Sequence, residues 1–469
     1  MKKYGLLGEK LSHSYSPTIH NFIFESLNIE ASYTLLEVKE EELNSYIEAL
    51  RNNEYHGFNV TIPYKKTILK YLDFIDAKAE TIGSVNTVYL KDGKVCGTNT
   101  DYDGFLETIV YHNLDVKHKN CYILGTGGAS LAVRQVIQDL QGIPYSVSRT
   151  PKGEQVSYQE LEEKEIDLLI NTTPVGMYPN LDVSPVSKDV ARKAKEVIDI
   201  IFNPQQTQLL RDAESDKNGL HMLIMQAIRA ESIWQQKEIQ ISISDLLENL
   251  EWMMCLPQEI IRYVQSLKFK KDPMGWSEDD VYLFEDKYVL KVSLSKENLL
   301  REKTCVDWLE DKIPGSKSIA FIEKDSKAYY LRTKVQGINL ADKTFLDQPN
   351  HLIQALKGVI STLRSLDALD CPFYSKDNSG KFFVHGDLCL PNILVNPQGE
   401  FLGFIDLDNA GLGDAWYDYA WLLWSFEYNL KTNQFNQLLL KELEIEMDEE
   451  KYHTYIPQSY IDKLKSENA

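Results

Sequence analysis

The chain has 469 residues, of which 43% are hydrophobic and 26% charged, a balance typical of folded globular proteins and not of collagen, mucin-like or disordered chains. At roughly 100–200 residues per domain, this length predicts two to four packed units. The formal net charge of −20 repels polyanions, so neither nucleic acid nor an anionic membrane is expected as a partner.

The amino-terminal residues and the cysteines bear on location. Glu9 and Lys10 interrupt the first segment before an apolar stretch builds up, and no later run reaches about 18 apolar residues. Six cysteines are scattered without C-x-x-C spacing, which favours reduced thiols over a disulfide framework or a zinc site. We expect a cytoplasmic protein. The sequence leaves its oligomeric state, a homodimer included, open.

The pattern of apolar residues changes along the chain. Up to about residue 250, short apolar runs alternate with helix-period segments, which predicts an α/β fold with parallel strands and crossover helices. We place a boundary near Glu251. Beyond it, three runs predict an antiparallel meander interrupted by a helix over 296–312, and a mostly helical remainder begins near Asn350. The strands expected in the first half are 4–7, 33–38, 57–60, 121–124, 145–147, 167–171 and 197–200.

A glycine-rich turn follows the fourth of these strands. The strand runs into G-T-G-G-A and then into a helix expected over 130–140. Glycines at such a turn let the backbone approach a pyrophosphate, whose charge then lies at the helix amino terminus. The turn therefore predicts a dinucleotide-binding domain. Its candidate cofactor contacts are Gly125, Gly127, Gly128 and Ala129.

Residues about 20 positions further on indicate which dinucleotide binds. An NAD site places an Asp or Glu there for the ribose 2′-hydroxyl, whereas this chain has Ser148, Arg149 and Thr150. A guanidinium beside hydroxyl groups suits a 2′-phosphate through charge-assisted hydrogen bonds. NADP is therefore favoured over NAD, and a solvated basic loop is the alternative.

Upstream, polar residues stand where apolar cover for a core is expected. Ser14 or Ser16 alone could cap a helix that starts at Pro17. Together, hydroxyls, an amide and one ion pair would instead hold a small carboxylate rich in hydroxyl groups. The residues of this group are Ser14, Ser16, Thr61, Lys65, Asn86 and Asp101.

These motifs resemble those of the shikimate dehydrogenase family. The first half contains, in order, H-S-Y-S-P, N-V-T-I-P-Y-K, V-N-T, N-T-D-Y-D-G, G-T-G-G-A, S-R-T, N-T-T-P-V-G-M and G-L-H-M-L-I-M-Q-A. The resemblance implies reversible reduction of 3-dehydroshikimate to shikimate with NADPH, a step of chorismate and aromatic amino acid biosynthesis. It also implies a substrate-binding domain at 1–101, completed by 216–250, and a Rossmann NADP-binding domain at 102–215.

The resemblance gives individual residues their roles. It implies Lys65 and Asp101 as the catalytic pair, and an ammonium donor suits this chemistry because hydride transfer leaves negative charge on the carbonyl oxygen. The substrate contacts that it implies are Ser14, Ser16, Thr61, Asn86 and Gln226. Three residues depart from the family pattern: Ser148, Phe202 and His221 stand where Asn, Tyr and a small residue are usual.

The second half contains a phosphate-transfer motif. F-V-H-G-D-L-C-L-P-N-I-L-V places Asp387 and Asn392 five residues apart, and F-I-D-L-D follows with Asp406. In this H-x-D-x-x-x-x-N arrangement the Asp accepts or orients the proton of an attacking hydroxyl, and the Asn binds magnesium. Asp406 would supply a second oxygen ligand to Mg²⁺. Upstream, Lys291 on an expected strand and Glu302 in the next helix would position the nucleotide phosphates.

These residues resemble the aminoglycoside phosphotransferase family, closest to its 3′-phosphotransferase branch. The resemblance implies a bilobal, protein-kinase-like α+β domain with lobes at 251–340 and 341–469, using Mg²⁺ and ATP or GTP. Asp387 is thereby the catalytic base, Asn392 and Asp406 the magnesium ligands, and Lys291 and Glu302 the phosphate-positioning pair.

Two departures from this family reopen the identity of the phosphoryl acceptor. Only Gly275 marks the expected nucleotide loop, and only the stretch 375–381 stands where relatives carry a long helical insertion against the aminoglycoside. Fusion to a shikimate-forming enzyme suggests shikimate or a close relative as acceptor. Aminoglycoside resistance is the competing hypothesis, supported by the acidic composition. A non-catalytic nucleotide-binding module is the third.

Overall fold

The computed structural model describes residues 1–11, 14–272, 279–375 and 380–467. The chain divides into two compact units, Met1–Leu256 with Ile261–Lys268, and Pro257–Ile260 with Phe269–Ala469. The expected boundary near Glu251 falls inside the helix Ile243–Cys255, and the domain limits within each half stay predictions. Among the described residues, no helix is both long and apolar enough to cross a membrane.

The first unit begins with a mixed six-stranded sheet of order β2-β1-β3-β5-β6-β4. β1 pairs in parallel with β2 and β3, whereas β5 pairs antiparallel with β3 and β6. The antiparallel hairpin formed by β5 and β6 was not predicted from the sequence. The strands are β1 (Lys2–Gly8), β2 (Ala31–Glu37), β3 (Gly57–Val60), β4 (Phe74–Ile75), β5 (Thr87–Lys91) and β6 (Lys94–Thr98).

A second sheet of the same unit has five parallel strands in the order β11-β10-β7-β8-β9. Alternate residues of β7 enter two different core clusters, so both faces of this sheet are covered. This is the predicted Rossmann domain. Its strands are β7 (Asn120–Leu124), β8 (Ile143–Ser148), β9 (Val156–Ser157), β10 (Leu168–Asn171) and β11 (Glu196–Asp199).

Helices connect and cover these two sheets. Helix α4 follows the first sheet and packs closely on α9, because Gly104 has no side chain: a Cβ built there would lie 2.6 Å from the Met222 carbonyl oxygen. The helices are α1 (Ser16–Ser26), α2 (Leu43–Arg51), α3 (Ala77–Ile82), α4 (Thr100–Tyr111), α5 (Gly128–Asp139), α6 (Tyr158–Leu161), α7 (Lys188–Lys193), α8 (Gln208–Ala213), α9 (Leu220–Trp234), α10 (Ile243–Cys255) and α11 (Gln258–Val264).

The second unit opens with an antiparallel five-stranded sheet of order β12-β13-β14-β16-β15. A helix, α12 (Lys296–Leu309), connects two of its strands, as the sequence predicted for a helix over 296–312. The strands are β12 (Phe269–Lys271), β13 (Asp280–Phe284), β14 (Tyr288–Ser293), β15 (Ser318–Lys324) and β16 (Lys327–Thr333).

The rest of this unit is mostly helical, as expected, with two small sheets that carry the catalytic-loop motif. The first pairs β19 with β17 (Ile338–Asn339) and β20, and the second pairs β18 with β21. These elements are α13 (Lys343–Leu346), α14 (Pro349–Ser365), β18 (Phe382–Val384), β19 (Ile393–Val395), β20 (Phe401–Phe404), β21 (Gly411–Gly413), α15 (Ala415–Leu430), α16 (Asn436–Glu442), α17 (Glu449–Tyr455) and α18 (Gln458–Glu467).

Candidate functional sites

Two charged residues that follow strands of the first sheet form an ion pair. Lys65 Nζ donates a hydrogen bond to Asp101 Oδ2 over 2.5 Å, and the two side chains are 14% and 9% exposed. Asn86 Nδ2 donates to the other carboxylate oxygen, Asp101 Oδ1, over 2.8 Å. Both oxygens of Asp101 accept hydrogen bonds, so the carboxylate holds the Lys65 ammonium group in place. The other protons of that ammonium group can reach a ligand.

Asn86 is fixed by the first turn of α4. Its Oδ1 accepts a hydrogen bond from Thr100 N over 2.7 Å. Thr100 Oγ1 lies 3.5 Å from Gln226 Oε1 on α9, a helix that the small size of Gly104 allows to approach. Asn86 and Gln226, two of the predicted substrate contacts, therefore share Thr100 as a neighbour.

The two predicted serines interact with each other at the start of α1. Ser14 Oγ donates to Ser16 Oγ over 3.2 Å, and it accepts from Ser16 N over 3.3 Å. The residue at the helix N-cap is Tyr15, so neither serine occupies the capping position, although Ser14 accepts a hydrogen bond from the amide of the first helical residue. Thr61 N donates to Leu7 O, which places Thr61 beside the end of β1.

Two residues that depart from the family pattern make packing contacts. Phe202 lies edge-on to Tyr15, with ring centroids 6.1 Å apart, so its ring adjoins the segment that bears the serines. His221 stacks on Tyr111 at 4.3 Å, and its Nδ1 lies 3.4 Å from Thr108 Oγ1. His221 therefore joins α9 to α4.

The glycine turn lies between β7 and α5. Gly125 has a φ of +105°, a conformation that favours glycine. Gly127 is the N-cap of α5, and among the described residues no side chain caps that helix and no atom lies within 4 Å of a Cβ built on Gly127. A Cβ on Gly128 would instead lie 3.1 Å from Lys65 Cδ, and Ala129 follows within the first helical turn. The open turn and the uncapped amides fit a dinucleotide pyrophosphate.

The three predicted residues at the end of β8 lie at the carboxyl edge of the same sheet. Ser148 Oγ accepts a hydrogen bond from Thr150 N over 3.2 Å, while the Arg149 side chain is exposed. Burial raises the pKa of Tyr158, and the charge of Arg149 opposes that rise, so the guanidinium lies near this ring. A free guanidinium with two neighbouring hydroxyl-bearing residues fits a ribose 2′-phosphate.

Asp199 is a buried carboxylate that the sequence analysis did not single out. Its Oδ1 accepts from Asn171 Nδ2 over 3.0 Å and from Ile201 N over 3.0 Å, and its Oδ2 accepts from Thr207 Oγ1 over 2.8 Å. Burial raises the pKa of Asp199 to about 6, against the lowering effect of these hydrogen bonds. The residue ties together the loops that follow β10 and β11, at the edge that carries the glycine turn.

In the second unit, a lysine on β14 bridges two carboxylates. Lys291 Nζ lies 2.7 Å from Glu302 Oε2 and 2.9 Å from Asp406 Oδ1. Burial opposes the charged form of Lys291, but the two carboxylates outweigh it and raise its pKa. For Asp406, burial acts to raise the pKa, but the charge and hydrogen bond of Lys291 outweigh burial, so this pKa lies below its ordinary value. The Asp406 side chain is 47% exposed and remains open to a ligand.

The predicted base, Asp387, is hydrogen-bonded to one predicted metal ligand, Asn392, and the other, Asp406, is close to Asn392 along the backbone. Asn392 Nδ2 donates to Asp387 Oδ2 and to the Asp387 carbonyl, both over 3.0 Å, which leaves Asn392 Oδ1 free of those contacts. Ile405 N donates to Asn392 O over 3.0 Å, so Asp406 directly follows a residue bonded to Asn392. Cys389 Sγ also donates to Asp387 Oδ1 over 3.0 Å.

Asp418 on α15 supports the loop of the phosphate-transfer motif and was not singled out from the sequence. The side chain is fully buried and accepts hydrogen bonds from His385 N over 3.0 Å and from Gly386 N over 2.9 Å. Burial raises its pKa, against the lowering effect of Arg364 and His385. Its amide contacts fix the backbone immediately before Asp387.

The oxygen groups of this unit fit magnesium held partly by a nucleotide. Within the described ranges, no group of three or more His, Cys, Asp or Glu could hold a metal ion by itself. Mg²⁺ commonly binds through one or two protein oxygens together with substrate phosphates. Asp406 and Asn392 would provide the protein oxygens. Gly275 of the expected nucleotide loop lies outside the described residues, as do positions 376–379 of the shortened stretch.

Two family models match the chain. Residues 6–88 match the shikimate dehydrogenase substrate binding domain, and residues 377–451 match the phosphotransferase enzyme family. Among curated proteins, the chain is 42% identical over 265 residues to shikimate dehydrogenase (NADP(+)) of Clostridium beijerinckii, covering 53% of this chain and 98% of that relative. It is 38% identical over 255 residues to the enzyme of the same name from Caldanaerobacter subterraneus, covering 50% and 91%.

Solved structures give a matching result for the first half. The crystal structure of shikimate dehydrogenase 1 from Peptoclostridium difficile is 41% identical, with a TM-score of 0.50 and coverage of 55% of this chain and 100% of that one. A chorismate mutase/shikimate 5-dehydrogenase fusion protein from Clostridium acetobutylicum is 39% identical, with a TM-score of 0.51 and coverage of 54% and 97%.

Proposed function

Because this chain belongs to the shikimate dehydrogenase family through its first half, we propose that this half catalyses the reversible, NADP-dependent reduction of 3-dehydroshikimate to shikimate. The observation that carries the proposal is the Lys65–Asp101 ion pair, which is held at 2.5 Å and fixed by Asn86. Ser14 and Ser16 supply hydroxyl groups suited to a carboxylate and to ring hydroxyls.

Lys65 carries out the proton transfer. The bound nicotinamide supplies the hydride. Lys65 donates a hydrogen bond to the substrate ketone and gives that oxygen a proton as its negative charge develops; in the reverse direction it takes the proton from the hydroxyl. Asp101 keeps the ammonium group oriented, and Arg149 with Ser148 and Thr150 selects the 2′-phosphate.

The assay for this half follows shikimate oxidation at 340 nm with NADP⁺ and with NAD⁺. We expect turnover with shikimate and a clear preference for NADP⁺. A chain that folds and binds NADP⁺ but does not oxidise shikimate contradicts the proposed substrate, and a preference for NAD⁺ contradicts the role of Arg149.

The second half acts as a magnesium-dependent phosphotransferase on a small-molecule hydroxyl. Supporting this are the Lys291–Glu302 pair and the hydrogen bond between Asn392 and Asp387. Asp387 accepts or orients the proton of the acceptor hydroxyl, whose oxygen forms a bond to the γ-phosphorus as the bond to the leaving nucleoside diphosphate breaks. Lys291 would position the phosphates, and Asn392 with Asp406 would hold the metal.

Shikimate, or a closely related polyol acid, is the acceptor that we favour. The fused dehydrogenase releases shikimate, and the sequence lacks the long insertion that relatives place against an aminoglycoside. The test incubates the full chain with Mg²⁺ and ATP or GTP against shikimate, quinate and a panel of aminoglycosides. Phosphorylation of shikimate supports the proposal, and phosphorylation of aminoglycosides alone points to resistance. Nucleotide binding without any transfer points to a non-catalytic module.

A further inference from the structure

A histidine and a glutamate form a buried pair between α1 and α9, the helices that carry the predicted substrate contacts Ser16 and Gln226. His20 Nδ1 on α1 lies 2.6 Å from Glu231 Oε1 on α9, and both side chains are 0% exposed. Burying a carboxylate is costly unless it is paired, so this pair fixes the histidine ring firmly. None of the roles proposed above uses either residue.

Tyr33 on β2 rests on the face of that histidine. The rings of His20 and Tyr33 are stacked, with centroids 4.0 Å apart and planes 5° apart. Burial raises the pKa of Tyr33 well above its ordinary value, and the charge of Glu231 adds to the effect. The phenol therefore stays protonated and can donate a hydrogen bond.

The Tyr33 hydroxyl group begins a chain of hydrogen bonds that leads to the proposed catalytic pair. Tyr33 OH donates to Asn59 Oδ1 over 2.8 Å. Asn59 Nδ2 in turn donates to Thr87 Oγ1 over 3.1 Å and to the carbonyl oxygen of Asn86 over 3.3 Å. Asn86 holds Asp101, so one continuous set of contacts runs from Glu231 to the catalytic carboxylate.

We infer that Tyr33 is a positioning residue for the predicted substrate contact Asn86, through Asn59, and that Glu231 holds Tyr33 in place through His20. The inference rests on the proposed dehydrogenase function. Stacking prevents the phenol from turning away, so its hydroxyl group holds Asn59, and through it Asn86, before substrate arrives. A pocket oriented in advance binds its ligand more tightly because less ordering is needed on binding.

The test replaces Tyr33 by Phe in the full chain, which keeps the stacked ring and removes only the hydroxyl group. We expect the KM for shikimate to rise about tenfold, as for the loss of one buried hydrogen bond, while kcat and the KM for NADP⁺ stay within about twofold. The matched control is Tyr4→Phe. Tyr4 belongs to the same aromatic cluster, stacks on Trp234 at 4.8 Å, and its hydroxyl group accepts a hydrogen bond from Gln235.

A double-mutant cycle tests the part assigned to Glu231. We expect Glu231→Gln to raise the KM for shikimate, and Tyr33→Phe with Glu231→Gln to raise it no further than Tyr33→Phe alone. An unchanged KM in Tyr33→Phe, an equal rise in Tyr4→Phe, or factors that multiply in the double variant would each overturn the inference. Wild-type turnover of shikimate is a separate readout, so failure of the proposed function is distinguishable from failure of this network.

Discussion

Gly128 lies directly against Lys65: a Cβ atom built on this glycine would stand 3.1 Å from Cδ and 3.2 Å from Cβ of the lysine. Gly128 is the first residue of α5, after the glycine turn, whereas Lys65 follows a strand of the other sheet. The proposed cofactor turn and the proposed proton donor are therefore in contact. A methyl group at position 128 would lie closer to the lysine side chain than ordinary van der Waals contact allows, so the lysine would have to move.

Gly128→Ala is accordingly expected to lower kcat for shikimate oxidation by about tenfold or more, because small displacements of a catalytic group are costly. Steady-state kinetics compare it with Gly127→Ala, whose added Cβ meets no protein atom within 4 Å. The second variant should act mainly on the KM for NADP⁺. Equal kcat values in both variants would show that the contact with Lys65 has no consequence.

Arg149→Ala is expected to raise the KM for NADP⁺ by about tenfold or more, because the variant loses a charge-assisted hydrogen bond to the 2′-phosphate. NAD⁺ serves as the internal control because it lacks that phosphate, and its KM should stay within about twofold. Kinetics with both cofactors at saturating shikimate give the comparison. A parallel loss with NAD⁺ would indicate a structural defect instead of a lost phosphate contact.

Asp199 makes the free energy of unfolding depend on pH, and its raised pKa gives the sign of that dependence. Burial raises its pKa from 3.8 to about 6, so the folded state favours the protonated form. The stabilisation is complete below about pH 4 and is lost as the pH rises through about 6, a change of about 3 kcal/mol in the free energy of unfolding. Asp199→Asn cannot ionise. Urea unfolding should show the wild type losing stability relative to this variant between those pH values, and a constant difference contradicts the assignment.

Asp387→Asn is expected to reduce phosphotransfer by about a hundredfold or more, because the acceptor hydroxyl loses its base. Shikimate oxidation by the same protein should stay within about twofold, since the two compact units have separate sites. Asp370→Asn is the matched control: this carboxylate is 66% exposed and pairs with Lys312. Both activities are measured on one preparation of each variant. Equal transfer by the two variants would remove Asp387 from the proposed mechanism.

Local signals in the sequence predict some elements of this structure correctly and miss others. The glycine turn, the strand before it and the catalytic-loop motif are each contiguous, so their residues determine the local conformation directly. The hairpin β5–β6 was missed although Asp92 and Gly93 carry a recognised two-residue turn signal. Both residues have positive φ, 51° and 73°, as that turn requires.

The buried polar residues were missed for a different reason. His20 and Glu231 are 211 residues apart in the chain, and Asp418 follows His385 by 33 residues. No spacing rule connects such positions, because only the packing of helices and loops brings them together. A buried carboxylate resembles a surface one in the sequence, and its role becomes visible only with its partners.

Lys65→Ala provides the most direct test of the central claim, that this lysine is the proton donor of an NADP-dependent shikimate dehydrogenase. Two quantities are measured on the full chain: turnover of shikimate with NADP⁺, and binding of NADPH by the change in its fluorescence. We predict that turnover is abolished while the Kd for NADPH stays within about twofold, since removing the acid–base group acts on chemistry and not on cofactor binding. Near-normal turnover would contradict the claim.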